Sequence, residues 1–488
     1  MTNPVTFLLG AGAAFPFGVP MMTGFYADFR EYLSRRYPHC FTFLERLERA
    51  GTHPTRDLET LLSDLSAVVD LNRGLTLLGV GSASHQPDVE LARELRGYLD
   101  AFIVDTCERF DRASPARELQ PLLALHELGP LWVFTTNYDR IIEYACEQSG
   151  ISWTDGFERP GDQAVADWTG KFHSDVRLVK LHGSVNWYVD DPDRSLHRLD
   201  RGYSLPAHDF MLVRGDQRLR PLMIIPTLEK EALGTPYVEL SVRFTDVLQE
   251  SHLLIIAGNS LRDSHIHNYI RARLDALEVL VVSPSATKRM SVLGSSDRIH
   301  GIDAGFSEFL SVAGTKLFEL GRTMAAQDRA DQANRSAVKA FIVSVSQDTL
   351  DETTLRKDSD LYRIWSDSKS AVTADRVQAV RDLASHRHPA VARRLQHLLS
   401  NDPDEHVRVA CVTAFTQAVP DGCVTLLSDA LAKEMAPLVQ LELALALCRQ
   451  SHNEKTVDAL RHGITRPELS SVARSVINDY LAASSERV

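Results

Sequence analysis

Val5-Thr6-Phe7-Leu8-Leu9-Gly10-Ala11-Gly12-Ala13-Ala14-Phe15-Pro16-Phe17-Gly18-Val19-Pro20 is an apolar run broken by paired glycines, and the fold is read outward from it. Val5 to Leu9 predicts a buried strand. Gly10, Ala11, Gly12 and Ala13 then predict a tight turn into a helix, where the backbone can come close to a pyrophosphate. Phe15 stands where the fingerprint G-x-G-x-x-G has its third glycine, so the turn alone fits either a dinucleotide site or a plain strand-to-helix connection.

The chain has 488 residues, more than one ordinary core, with 44% hydrophobic and 24% charged residues, the balance of a globular protein. Its net charge of -12, from 53 basic against 65 acidic side chains, argues against a phosphate backbone as main partner, so direct nucleic-acid binding is not expected. The six cysteines (Cys40, Cys107, Cys146, Cys411, Cys423, Cys448) contain no C-x-x-C pair. Neither a zinc ribbon nor a secreted disulfide framework is suggested, no metal is expected, and a reducing cytoplasm fits best. The N-terminus lacks the basic stretch of a secretion leader, and Leu222 to Ile225, Leu253 to Ala257 and Val279 to Val282 are far shorter than the roughly 20 residues that span a bilayer, so no membrane is expected.

From about residue 21 to 125 apolar residues recur at helix spacing (Phe25, Phe29, Leu33, then Phe41, Leu44, Leu47), which predicts a mostly helical insertion. Leu131-Trp132-Val133-Phe134-Thr135-Thr136 predicts a second buried strand, ending at Asn137-Tyr138-Asp139 before another helix. Polar side chains at the carboxyl end of a parallel strand stand where open α/β sheets bind ligands. Simple helix capping is the alternative for this pair, more so for Asp139 than for Asn137. Val176 to Leu181 is a third strand, closed by His182-Gly183-Ser184.

The turn at Gly10 to Ala13, the segment Thr135-Thr136-Asn137-Tyr138-Asp139 and the segment Leu181-His182-Gly183 follow one another in the order of the sirtuin motifs. The chain resembles a sirtuin over about residues 5 to 285. The resemblance implies an α/β fold, a Rossmann-like parallel sheet of the sirtuin type with a helical insertion. It extends to Leu253 to Ala257 followed by Gly258-Asn259-Ser260, and to Val279 to Val282 followed by Ser283. By that resemblance Asn137 and His182 are catalytic, Gly10, Ala11, Gly12 and Ala13 hold the pyrophosphate, and Gly258, Ser260 and Ser283 hold the adenosine half. Asp139 orients the ribose side.

Three departures point to the NAD-degrading, antiphage-defence branch rather than to a peptide deacylase. The zinc cysteines are missing, Gly18-Val19-Pro20 continues as Met21-Met22-Thr23 where deacylases have Asp-Phe-Arg, and no segment reads as a peptide-clamping strand. Phe15 or Phe17 is then left to guard the nicotinamide pocket. Asn186 to Arg220 reads as a long irregular excursion near the site, a lid or a solvated loop, and Leu222 to Thr227 followed by Lys230 as a return to the sheet. Asp263 with His265 and His267 suggests surface histidines rather than a metal site, because helical residues two apart do not face each other.

Residues 321–374 read as a linker or helical adaptor, which bounds a catalytic domain at 1–320 and a repeat region at 375–488. In the latter, apolar clusters such as Val377, Val380, Leu383 and Val391, Leu395, Leu398 return with a period of roughly 32 residues, similar to HEAT repeats and predicting an all-α solenoid. The expected function is NAD+ hydrolysis to nicotinamide and ADP-ribose, with NAD as substrate, by a cytoplasmic homo-oligomer regulated through a protein partner or phage-derived trigger at the repeats. A protein deacylase and a non-catalytic NAD or ADP-ribose sensor on a helical scaffold are the alternatives.

Overall fold

Four strands buried on every residue lie in the parallel sheet of the first part of the molecule. The structure, a computed structural model, describes residues 3–50, 58–77, 86–112, 114–159, 165–191, 195–199, 212–214, 217–223, 236–326, 331–355, 357–418, 423–450 and 454–485. The chain divides into two compact units, residues 1–346 and 347–488.

In chain order the strands of the first unit are β1 (Val5–Leu9), β2 (Leu131–Thr135), β3 (Trp153–Thr154), β4 (Phe157–Glu158), β5 (Val165–Trp168), β6 (Val176–Lys180), β7 (Gly183–Asp191), β8 (Leu196–Leu199), β9 (Leu212–Arg214), β10 (Gln217–Met223), β11 (Leu253–Ala257), β12 (Glu278–Val282) and β13 (Ile299–Ile302). Seven form a parallel sheet in the order β13-β12-β11-β1-β2-β6-β3. β1, β2, β11 and β12 are buried throughout, as expected for parallel strands covered on both faces.

Successive side chains of one strand enter opposite cores. Phe7 and Leu9 join a cluster with Phe29, Leu33, Leu44 and Leu99 of the helical insertion, whereas Leu8 joins a cluster with Phe134, Phe244 and Ile270. The insertion itself runs as the helices Met22–Arg36, Pro38–Ala50, Leu58–Leu77 and Gln86–Glu108. Beyond residue 320 the chain stays helical: Phe306–Ala326 and Asp331–Leu355 bring Leu320, Val338, Phe341 and Val345 into the first unit's core.

Of the irregular excursion expected from Asn186 to Arg220, the described residues 186–191, 196–199, 212–214 and 217–220 are strands of a second sheet, and 192–194, 200–211 and 215–216 lie outside the described residues. Six strands pair antiparallel in the order β4-β5-β8-β7-β10-β9. The expected return of Leu222 to the parallel sheet is likewise corrected, because β10 pairs with β7; Ile224 to Thr227 and Lys230 lie outside the described residues. The mixture of aromatic, polar and charged residues hid a strand in which Ser184, Val185, Asn186, Trp187 and Tyr188 are all buried.

The second unit is all-α, with Thr373–Leu383, Pro389–Asn401, Glu405–Ala418, Cys423–Lys433, Pro437–Cys448, Glu454–Ile464 and Ser471–Ser485 around Val391, Leu395, Val407, Leu427, Leu443 and Leu460. A polar ladder repeats along it. Arg376 makes a bidentate pair with Asp402 (2.8 and 3.0 Å), and Arg408, about 32 residues on, makes the same pair with Glu434 (2.9 and 3.2 Å). At the next step Gln440 donates to the Glu434 and Glu468 carbonyls and accepts the Ser470 N–H. No helix among the described residues is long and apolar enough to cross a membrane.

Candidate active site at the carboxyl edge of the parallel sheet

The strand order reverses at β1, whose neighbours are β2 on one side and β11 on the other. Loops leaving such a switch point form the usual ligand crevice of an open α/β sheet. Here the loops after β1, β2, β6 and β11 carry Gly10, Asn137, His182 and Gly258 respectively.

The turns after β1 and β11 press together. Gly10 N–H donates to Ala257 O (2.9 Å), Gly12 N–H to Gly258 O (2.9 Å) and Ala13 N–H to Gly10 O (2.8 Å). Gly258 has φ +62°, and a Cβ on it would lie 2.2 Å from the Ala13 nitrogen; one on Gly10 would lie 2.5 Å from Asn259 Cα. Both positions therefore need glycine for backbone-to-backbone approach. Of the four N–H groups from Gly10 to Ala13, only that of Ala11 meets no acceptor among the described residues.

Asn137 reaches across to the same turn, its Nδ2 donating to Gly10 O at 3.1 Å while its N–H donates to Thr135 Oγ1 at 3.0 Å. Capping is done by Asp139, whose Oδ1 accepts the Ile141 N–H at the start of the helix Ile141–Ser149. Its Oδ2 is buried and has no partner among the described residues. Burial pushes this carboxyl up to about 6, against the pull of the Lys180 ammonium. A cavity of about 20 Å³ lies here, lined by Ala13, Phe17, Asn137, Asp139, Glu143 and Phe306 among others, with room for one or two waters.

The loop is held from below by Lys180, a fully buried side chain at the end of β6. Its ammonium donates to Tyr138 O (3.4 Å), to Asp139 O, and to Glu143 Oε1 at 2.8 Å. Ser184 Oγ and the Val185 N–H add two more bonds to Tyr138 O. Three donors on one carbonyl fix where Asn137 and Asp139 leave β2.

His182 sits in the turn between β6 and β7, where Gly183 has φ +84° and leaves no room for a Cβ beside Leu222 O. His182 Nε2 stands 3.1 Å from Asp263 Oδ2, with both side chains largely buried. Asp263 also accepts the His265 N–H at 3.0 Å, capping the helix Ser264–Arg271. The two flanking histidines diverge: His265 is exposed and His267 Nδ1 meets Leu261 O.

The remaining expected ligands lie along the same edge. Ser283 follows β12 and is buried, its Oγ accepting the Ser285 N–H at 3.3 Å. Ser260 follows β11 with an exposed side chain, and its carbonyl accepts Arg289 Nη1. Sequence reasoning gave no role here to Asn259, Lys180 or Glu143, and did not pair Asp263 with His182. Asn259 ties the β11 loop to Thr136 Oγ1 at 3.2 Å, Asp263 meets His182, and Lys180 with Glu143 braces the Asn137 loop. A lysine inside the apolar run Leu178-Val179-Lys180-Leu181 was the legible signal, since a buried ammonium requires partners.

Residues 132–298 match the family model of a SIR2-like domain. The first unit has a sirtuin-like fold. Among solved structures, the chain is similar to a mutant Sir2 homologue in complex with ADP-ribose, at 14% identity and TM-score 0.35, covering 66% of this chain and 94% of that one. It is also similar to a Sir2 bound to acetylated peptide, at 13% identity and TM-score 0.34, covering 64% and 92%. No curated protein matches the chain.

Proposed function

We propose that this chain is an NAD+ glycohydrolase that cleaves NAD+ to nicotinamide and ADP-ribose. The observation that carries the reading is the Asn137 Nδ2 bond to Gly10 O at 3.1 Å, which brings the Asn137 loop onto the turn after β1 at the carboxyl edge of the sheet. Asp139 orients the ribose side, its buried Oδ2 lining a cavity with room for one or two waters that can relay the contact. Phe17, buried at the wall of that cavity, guards the nicotinamide pocket.

The chemistry asks little beyond positioning. Nicotinamide leaves as a neutral molecule when the bond from the ribose C1′ to the ring nitrogen breaks and its electrons return to the ring, so no general acid is required. Water adds to C1′, and its proton passes to His182 directly or through a ribose hydroxyl. Asn137 holds the water or the ribose hydroxyls. A positioned base of this kind contributes about 10²- to 10⁴-fold, and the fixed dipoles around a cationic transition state add to it. The Gly10 to Ala13 turn takes the pyrophosphate, with the Ala11 N–H as its available donor, and Gly258, Ser260 and Ser283 take the adenosine half.

The biological reading is an NAD-depleting effector of antiphage defence in the cytoplasm, assembled as a homo-oligomer and restrained until a partner or phage-derived trigger engages the HEAT-like helical array. Deleting the array should alter regulation and leave nucleotide binding by the sheet unit intact; identical activity with and without it would remove the gating role.

Chromatography of NAD+ incubated with the wild type, Asn137→Ala and His182→Ala, with no peptide present, tests the central claim. Nicotinamide and ADP-ribose from the wild type alone are expected, with each variant slower by at least about 10²-fold. Turnover that appears only with an acylated peptide would make the chain a deacylase, and binding of NAD+ without cleavage would make it a sensor.

A further inference from the structure

Away from the carboxyl edge of the sheet, the helical insertion gathers three donors of the kinds that bind transition metals. His39 and Cys40 stand in the first turn of the helix Pro38–Ala50, and Glu94 stands on the helix Gln86–Glu108. An imidazole nitrogen, the Cys40 sulfur and a Glu94 carboxylate oxygen all lie within 4.8 Å of one another. His39 Nε2 is 2.9 Å from Glu94 Oε1, and the Tyr98 hydroxyl donates to that same oxygen at 2.8 Å.

We propose that His39, Cys40 and Glu94 bind a thiophilic divalent cation, Zn²⁺ by the chemistry of the set, with water as fourth ligand. One soft sulfur, one imidazole and one carboxylate is a zinc-type combination, and three protein ligands leave one position open. Around bonds of about 2.0–2.3 Å the donors stand roughly 3.3–3.8 Å apart in a tetrahedron. His39 and Glu94, with side chains 55% and 39% exposed, have the freedom to close that distance, while Cys40 is fixed and wholly buried. The cation therefore sits at the rim between the two helices, with the sulfur beneath it and solvent above.

Binding displaces the Cys40 thiol proton to solvent and forms the metal–sulfur bond with the electron pair left behind. His39 exchanges its hydrogen bond to Glu94 for a metal bond through the lone pair of its neutral ring. The Tyr98 hydroxyl keeps the carboxylate oriented through the exchange, as outer hydrogen bonds do in metal sites. Such a clasp locks the start of one insertion helix to the middle of the other, and Arg46 to Asp88, a bidentate pair at 3.0 Å, joins them at a second point.

The full-length protein titrated with Co²⁺ gives the test. One equivalent should bind with a near-ultraviolet sulfur-to-cobalt charge-transfer band, and Zn²⁺ should displace it and raise the melting temperature. Cys40→Ser should abolish the band. His39→Ala, at an exposed position that leaves the fold intact, should weaken binding at least about tenfold. The site is refuted if no such band appears at one equivalent, if the band survives Cys40→Ser, or if His39→Ala binds Co²⁺ as tightly as the wild type. None of these readouts depends on NAD+ cleavage.

Discussion

Asp263 divides its carboxylate between two tasks: Oδ2 stands 3.1 Å from His182 Nε2, and Oδ1 accepts the N–H groups of His265 and Ile266 at the start of a helix. The helix cap immobilises the carboxylate, and the carboxylate in turn fixes the imidazole. Orientation of the ring is thus inherited from the loop after β11, a segment 81 residues further along the chain.

Asp263→Asn keeps a capping oxygen and removes the charge. If His182 is the base, kcat for nicotinamide release should fall about 10- to 100-fold, the scale of lost supporting contacts to a functional histidine, with KM little changed. Steady-state kinetics check this, and an unchanged kcat with a raised KM would assign Asp263 to binding instead.

Asp139 predicts a pH dependence of stability. Its folded value of about 6 lies above the ordinary 3.8. The unfolded chain therefore loses its proton first as pH rises, and stability declines between about pH 4 and pH 6, by about 3 kcal/mol when both states are ionised. Denaturant unfolding across that window should show the decline in the wild type and its absence in Asp139→Asn. If Asp139 accepts from the ribose side of NAD+, affinity should move the opposite way, weakening below about pH 6 as the carboxylate becomes protonated.

Lys180 and Glu143 form a buried pair with side chains 1% and 2% exposed. Lys180→Met leaves Glu143 without its counter-charge and the Tyr138 and Asp139 carbonyls without a donor, which should cost about 3–5 kcal/mol. Adding Glu143→Gln should restore part of the loss. Urea denaturation of the two variants decides whether the pair is coupled, and NAD+ binding by the double variant reads how far the Asn137 loop depends on it.

In the helical unit, Arg408 holds Glu434, whose oxygen also accepts the Met435 and Ala436 N–H groups ahead of the next helix. Burial works against the charged carboxylate, yet these bonds and the guanidinium hold Glu434 below its ordinary value. Its contribution to stability is present above about pH 4.5 and lost as the pH falls through the lower folded value. Arg408→Ala should destabilise the array by about 1.5–3 kcal/mol near neutral pH and by less in acid, as read by thermal unfolding at the two pH values.

The parallel sheet was legible because β1, β2, β6, β11 and β12 are apolar runs with glycine or polar residues at their ends, a pattern that burial on both faces imposes locally. The second sheet was not, because its strands mix aromatic and charged side chains and acquire their meaning only from antiparallel partners such as β7 with β8 and β10. Asn137 and His182 could be picked out from their places at strand ends. What they touch could not.

The amino-acid order by itself determined that Gly10, Asn137, His182 and Gly258 terminate strands of one sheet, since strand periodicity is written residue by residue. Tertiary structure alone decided that Asp263 meets His182, that Lys180 braces the Asn137 loop from beneath, and that His39 and Cys40 converge with Glu94 across 55 positions of sequence. Those pairings depend on which helix packs beside which strand, and packing is a property of distances in space that spacing along a chain does not encode.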